Sequence, residues 1–434
     1  MSSVHRYRIF CETEQTNVYK WDTLPPTVCP NNNTHTVTTG SIVIVDNVNT
    51  TQTEITNLVS DNTQTLQVLQ KTVIINLLPF LGVSLLRNTT TTTGSATVSN
   101  NASIESEIKM NCSGANDSCV LRSIDRGIYV SGLTCEVGIA VRLPTALTGN
   151  QVFKWGYFSN QNGFYFKLTN TGISVCILNN SVETCISQAD FNVDKIDGSG
   201  ISGHNLDLTK GNIFAILFSW YGFGLISFQI HGATKSNKQS IITIHEYQTV
   251  SQTSTRIPNL PIQCTFSNNG TVANTNAFIG GRQYSILGIY IDTSREVSML
   301  KYLASISNEV FLPIISIKRK NIFIGTYIRL SNIYIKSSVD CEVRFISNGT
   351  LTSSSWIDNP YHSESAVDVD ITSNALSDGV IFYSMILFAG ESRYRSFEDS
   401  FMNLNEMKPF TIVAKSLTGQ TGNITLKLGY KEFW

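Results

Sequence analysis

Apolar and β-branched residues recur at every second position, or cluster in short runs between turn residues, along most of the chain from about residue 108 onward. The runs 127–130, 136–142, 163–169, 173–178, 213–218, 226–230 and 241–247 are the clearest. A period of two places successive side chains on opposite faces of a strand. Many such runs separated by Gly, Asn, Asp and Ser predict a sandwich or barrel. The last third repeats the habit at 310–317, 322–330, 333–335, 341–346, 380–387, 411–414 and 424–429. Between the two blocks, 294–307 is expected as a short connecting helix.

Upstream of residue 108 the alternation thins. Tyr7, Ile9 and Cys11 alternate with polar residues, then Pro25-Pro26 and Pro30 impose turns. Ile55, Leu58, Leu66 and Leu69 approach helical spacing, which predicts a short helix over 54–69. The expected organisation is a Cys/Pro-rich docking cassette at 1–46, a Thr/Asn-rich connecting region at 47–106, a central β-domain at 107–300 and a C-terminal β-domain at 301–434. The expected fold class is all-β, with multidomain β-sandwich or jelly-roll-like domains and an extended, strand- and loop-rich N-terminal region. The first 106 residues look too polar to fold alone, so the apolar stretch 73–86 is expected to pack against another subunit.

Composition sharpens this picture by exclusion. Charged residues make up 15% of the 434, and 31 Lys plus Arg against 32 Asp plus Glu leave a formal charge of −1. That supplies no electrostatic footprint for nucleic acid. The longest apolar stretch, 72–86, contains Asn76, Pro79 and Gly82 and is shorter than the roughly twenty residues of a spanning helix, so no membrane span is expected. The first twelve residues lack the apolar region of a signal peptide, so export is not expected.

Candidate chemistry is sparse. Residues 198–203 spell a literal G-x-G-x-x-G, but no buried strand precedes it and no acidic residue follows about twenty positions on, so a surface turn is expected. No G-x-S-x-G occurs. Glu12, Glu14, Asp194, Asp197 and Glu246 read as solvated loop acids rather than a glycosidase pair. No catalytic, cofactor-binding or metal-binding residue and no cofactor is therefore expected, and the protein reads as a non-enzyme. Among nine cysteines, Cys176 and Cys185 lie symmetrically about Asn180-Ser181 in a segment that reads as a hairpin, which predicts a cross-strand contact or disulfide. Cys11 and Cys29 are expected in contact across the Pro-rich return. His35 could add a third zinc ligand there, but the sequence shows no fourth. Trp155, Tyr157, Phe158, Phe164 and Tyr165 form an aromatic patch that reads first as core and interface, and second as a glycan-binding face.

Two longer segments carry a resemblance. The string Tyr7-Arg8-Ile9-Phe10-Cys11-Glu12-Thr13-Glu14, then Pro25-Pro26-Thr27-Val28-Cys29-Pro30-Asn31-Asn32 and His35-Thr36, resembles a cassette in structural proteins of large DNA viruses and some tailed phages. The stretch with Arg126-Gly127-Ile128-Tyr129, Trp155-Gly156-Tyr157-Phe158, Asp197-Gly198-Ser199-Gly200, Trp220-Tyr221-Gly222-Phe223-Gly224, Pro258-Asn259-Leu260-Pro261 and Gly281-Arg282-Gln283-Tyr284 is similar to a domain of the same virion proteins. The resemblance implies a non-catalytic minor capsid or capsid-surface protein of the virion, acting by oligomerisation, with a trimer preferred, and by docking to other virion proteins. The alternative it leaves is a host-attachment spike or fibre head that binds cell-surface glycan.

Overall fold

In the computed structural model of the chain the period-two runs become antiparallel strands, and no α-helix occurs among the described residues. These are 5–32, 34–37, 43–44, 71–101, 106–219, 223–233, 239–248, 257–288, 292–307, 310–323, 325–397, 404 and 408–433. The fold is all-β. No helix among them is long and apolar enough to cross a membrane. By internal contacts the chain separates into Met1–Leu69 and Gln70–Trp434.

The smaller unit is a hairpin of His5–Cys11 against Thr16–Asp22, with Val43–Ile44 pairing the first strand. Its turn closes on Gln15 at φ 53°, whose Nε2 donates to the Glu12 carbonyl at 2.6 Å. The helix expected at 54–69 lies outside the described residues.

The larger unit holds two sandwiches. In the first, a seven-stranded sheet runs in the order Val182–Ser187, Gly172–Asn179, Gly163–Thr169, Val152–Phe158, Pro261–Ser267, Ser118–Arg126 and Asn88–Thr93. An eight-stranded sheet includes Ile226–Ala233, Asn212–Phe218, Thr134–Arg142, Thr275–Leu287 and Glu107–Cys112. Alternation decides what lies between them. Phe153, Trp155 and Tyr157 of one strand and Phe164 and Phe166 of the next meet Phe214, Phe218 and Phe228 from the eight-stranded sheet. The Trp155 and Phe214 rings are 5.0 Å apart at 67°, and Phe166 and Phe228 are 5.4 Å apart at 85°. Each such ring contributes roughly 1.5–3 kcal/mol by burial alone. Tyr157 satisfies its hydroxyl in this apolar setting by donating to the Pro258 carbonyl at 2.7 Å and accepting from the Leu260 amide at 2.9 Å. The second sandwich pairs a four-stranded sheet, which includes Arg295–Ile306, Gly422–Phe433 and Tyr327–Ser337, with a six-stranded sheet that includes Leu312–Arg319, Phe410–Ser416 and Cys341–Ser347, around a core of its own. Ile74, Ile128, Tyr327 and Phe433 join the two sandwiches, and Asn259 Nδ2 donates to the Gly325 carbonyl at 3.1 Å.

Three expectations are corrected here. Residues 71–101 are not a connecting region: Lys71–Leu77, Asn88–Thr93 and Thr97–Asn101 are strands of the first sandwich. Lys71–Leu77 pairs with Thr275–Leu287 of the same chain, burying Ile75 and Leu77, so this strand has a partner within its own chain, while Val73, Phe80, Leu85 and Leu86 of the same apolar stretch stay exposed. Threonine, poor in helices, is a good strand former, and long-range pairing supplies the burial that the local pattern lacks. The helix expected at 294–307 is the strand Arg295–Ile306, because Val297 and Met299 alternate inward while Leu300 and Tyr302 face solvent. The central domain thus runs from 71 to 287.

Candidate functional site

The outer face of the seven-stranded sheet carries the residues that the core alternation turns away from it. On Val152–Phe158 these are Val152, Lys154, Gly156 and Phe158, and on Gly163–Thr169 they are Tyr165 and Lys167. Register sets their neighbours. Lys154 stands opposite Lys167 on one side and Thr265 on the other, while Gly156 stands between Tyr165 and Gln263. Glycine is required there: a Cβ on Gly156 would sit 2.6 Å from the Tyr165 Cβ and 2.4 Å from the Phe164 carbonyl oxygen. Apart from Gly156, these residues, with Leu178, Ser181 and Glu183 at one end and Ser267 and Asn269 at the other, line a cleft of about 650 Å³.

One carboxylate organises the cleft. Glu183 on the edge strand receives Lys154 Nζ at 2.7 Å, Lys167 Nζ at 2.6 Å and the Tyr165 hydroxyl. Desolvation opposes its ionisation, but the hydrogen bonds from Lys154, Lys167 and Tyr165 outweigh that and pull its pKa down to about 2. Burial, and then the Glu183 charge, push the Tyr165 phenol far above its ordinary range. The Lys154 ammonium also lies 5.1 Å from the Tyr165 ring centroid. Gln263 forms part of the cleft wall, is 2% exposed, and its Oε1 has no hydrogen-bond partner.

The edge strand is held in place by a disulfide. Cys176 and Cys185 are bonded, with Cα atoms 4.1 Å apart, directly opposite in the register of Gly172–Asn179 and Val182–Ser187. The two-residue loop is Asn180-Ser181, both at positive φ (49° and 69°), the signature of a turn that matches strand twist. Asn162 and Gln161 accept the two loop amides, at 3.2 and 2.8 Å.

The five aromatics of the sequence patch divide between two faces. Trp155, Tyr157 and Phe164 point into the core, so a glycan cannot reach them and that role is withdrawn for these three. Phe158 and Tyr165 lie on the other face, under the cleft, with ring centroids 4.6 Å apart, but they are buried against Cys176 and Leu178 and offer a ligand little ring surface. Cys11 and Cys29 lie side by side and buried in the smaller unit. The glycine-rich loop is a surface turn built on Asp194, whose two oxygens accept the amides of Ile196 and Ser202, each at 2.8 Å. Lys154, Lys167, Glu183 and Gln263 were missed by motif reading. Their signal was two lysines at outward positions of adjacent strands in a chain with few charges.

No family model matches the chain, and no curated protein matches it. Solved structures with a similar course of chain include endo-β-1,4-glucuronan lyase from the fungus Trichoderma reesei, at 12% identity and TM-score 0.33 over 51% of this chain and 98% of that one. The legume lectin-like domain from Entamoeba histolytica matches at 12% identity and TM-score 0.27, over 45% and 88%. Arcelin-5, a lectin-like defense protein from Phaseolus vulgaris, matches at 7% identity and TM-score 0.29, over 51% and 99%.

Proposed function

We propose that the first sandwich binds carbohydrate in the cleft of its seven-stranded sheet, and that the chain acts as a non-catalytic recognition component at the surface of a virus particle. The observation that carries the binding reading is Gln263. Its buried Oε1 is left unpaired at a cost of about 1–3 kcal/mol, and a turn of the carboxamide towards the cleft would pair it with a sugar hydroxyl. The ammonium groups of Lys154 and Lys167 add donors, and Ser181, Ser267 and Asn269 at the two ends of the cleft add hydroxyl and amide groups, partners for a hydroxyl-rich ligand. Two lysines against one glutamate leave the cleft with a charge of +1, which favours a glycan carrying carboxylate.

Binding without catalysis is the better reading of the same groups. Glycoside hydrolysis uses two carboxylates across the scissile bond, and Glu183 is the one carboxylate among the described lining residues. A general base works best with its pKa near the operating pH, whereas Glu183 is displaced downward and Tyr165 upward, both away from neutrality. The virion setting, the docking to other coat proteins and assembly as a homo-oligomer are supported by the two resembling segments of sequence.

The test is a glycan array probed with the full chain and with Gln263→Ala. Binding by the wild-type chain that falls at least about tenfold in the variant supports the cleft, by the cost of one lost hydrogen bond to a buried group. An array with no wild-type binding, or binding untouched by the substitution, removes it. Mass spectrometry of purified particles that lack the protein would remove the virion setting, and a monomeric mass in solution would remove the oligomer.

A further inference from the structure

We propose that Cys11, Cys29, His35 and Glu14 form a structural site for a divalent transition metal, with zinc as its natural occupant. The fourth ligand that spacing alone did not show is supplied by the turn of the N-terminal hairpin. Cys11 is the last residue of its strand, and the turn brings Glu14 back over it. The sulfur, imidazole and carboxylate donor atoms all lie within 4.8 Å of one another. Cys11 Sγ is 3.8 Å from His35 Nδ1, and that nitrogen is 3.2 Å from Glu14 Oε1. Four ligands at zinc bond lengths of about 2.0–2.3 Å in a tetrahedron have edges of roughly 3.3–3.8 Å, so the Cys11–His35 and His35–Glu14 separations are close to those of donors around one ion.

The surroundings of the two sulfurs point the same way. Cys11 accepts backbone N–H groups from Thr13 and Glu14, and Cys29 accepts them from Asn31 and Asn32. In both loops the amides two and three residues onward turn back on the sulfur. Outer contacts hold the remaining ligands. Asn31 Nδ2 donates to Glu14 Oε2 at 3.0 Å, leaving Oε1 for the ion, and the His35 amide donates to the Asn32 carbonyl at 3.1 Å. The loop after His35 is tied down by the Glu12 amide donating to the Thr36 carbonyl at 3.0 Å and by a bridge between Cys11 and Val37.

Stability gives the site a purpose. Among the described residues of this unit, the apolar cluster around the sulfurs is Cys11, Val18 and Cys29 with Val37 against them, and Tyr7 and Ile9 are buried besides. An ion held by residues of the hairpin and of the Pro-rich return would staple the two together around that cluster. The competing staple is a Cys11–Cys29 disulfide, which would leave His35 and Glu14 with no role beside the sulfurs.

The experiment takes the full chain, purified without chelator and under mild reductant, and measures bound zinc. Cobalt(II) is then titrated into metal-stripped protein to read the sulfur-to-cobalt absorption. One zinc per chain, a thiolate–cobalt band in the wild type and loss of both in Cys29→Ser are expected. Because Cys29→Ser could unfold the unit, Glu14→Gln serves as the second variant. It keeps both sulfurs and His35, and it should hold zinc with a dissociation constant raised at least about tenfold. Zinc below about one-tenth per chain with no cobalt band, or a Cys11–Cys29 disulfide in peptides mapped without reductant, would overturn the proposal. Zinc affinity unchanged in Glu14→Gln would overturn the four-ligand site.

Discussion

Replacing Glu183 by Gln removes the charge on which Lys154, Lys167 and Tyr165 converge while keeping the shape of the side chain. In the folded protein the carboxyl titrates at about 2 instead of its ordinary 4.5. At about 1.4 kcal/mol per pH unit that difference would be worth about 3 kcal/mol if the site were dry. The side chain is 30% exposed on an edge strand, so solvent screening reduces the expected value to roughly 1 kcal/mol. The sign follows from the downward displacement. The contribution is complete above about pH 4.5 and is lost as pH falls towards about 2, where the native carboxylate also takes up its proton. Glu183→Gln should therefore be less stable than wild type by roughly 1 kcal/mol near pH 7, and the gap should close on acidification. Urea unfolding followed by the emission of buried Trp155 measures it, urea being preferred because an ionic denaturant would itself screen the pair. A gap of the same size near pH 7 and near pH 3, or a Glu183 carboxyl resonance that titrates at the ordinary glutamate value, would refute the reasoning.

Replacing both Cys176 and Cys185 by Ser reopens a loop of about ten residues, which should cost roughly 2–3 kcal/mol and weaken glycan binding by freeing the strand that carries Glu183; unchanged melting and binding would count against the strand being pinned by the bond. Trp155→Ala should cost about 3–5 kcal/mol, whereas Trp155→Phe should cost under about 1.5 because it also removes an indole N–H that has no partner in the core; calorimetry that ranks the two equally would contradict this. Arg282 is 2% exposed, with Asn88 Oδ1 accepting from its Nη2 at 2.7 Å and its Nε and Nη1 unpartnered, and burial pulls its pKa down to about 10. Arg282→Met should therefore be at least as stable as wild type by denaturant midpoint, and a loss of more than about 2 kcal/mol would show that the guanidinium is better compensated than its contacts indicate.

How much of this was legible depends on the range of the interaction. The all-β class follows from alternation, which is local. The Cys176–Cys185 register was also local, because a two-residue turn at Asn180-Ser181 fixes which residues oppose each other. Lys71–Leu77 was not legible: its partner Thr275–Leu287 lies some two hundred residues away, and only that pairing makes a strand of it. The cleft failed for a related reason. Lys154, Lys167, Gln263 and Glu183 come from four strands, and their convergence is a property of cross-strand register rather than of any motif. Glu14 could be seen in the sequence as a loop acid. That it stands beside two sulfurs and an imidazole depends on the hairpin turn folding back.

The distribution of cysteines has a consequence for the history of each molecule. All seven thiols outside the disulfide are buried, and burial pushes those of Cys135 and Cys264 up to about 12. At neutral pH such thiols are thiolate about one part in 10⁵, too rarely to enter exchange at a useful rate. Cys185, by contrast, is the exposed member of the one bonded pair. In a chain made where glutathione keeps thiols reduced, and later carried into an oxidising medium, the first sandwich would thus be oxidised late and at the margin of its sheet, with the rest of that sandwich already committed. That order of events protects against scrambling, and it makes the redox state of one edge strand a record of which surroundings the molecule has passed through.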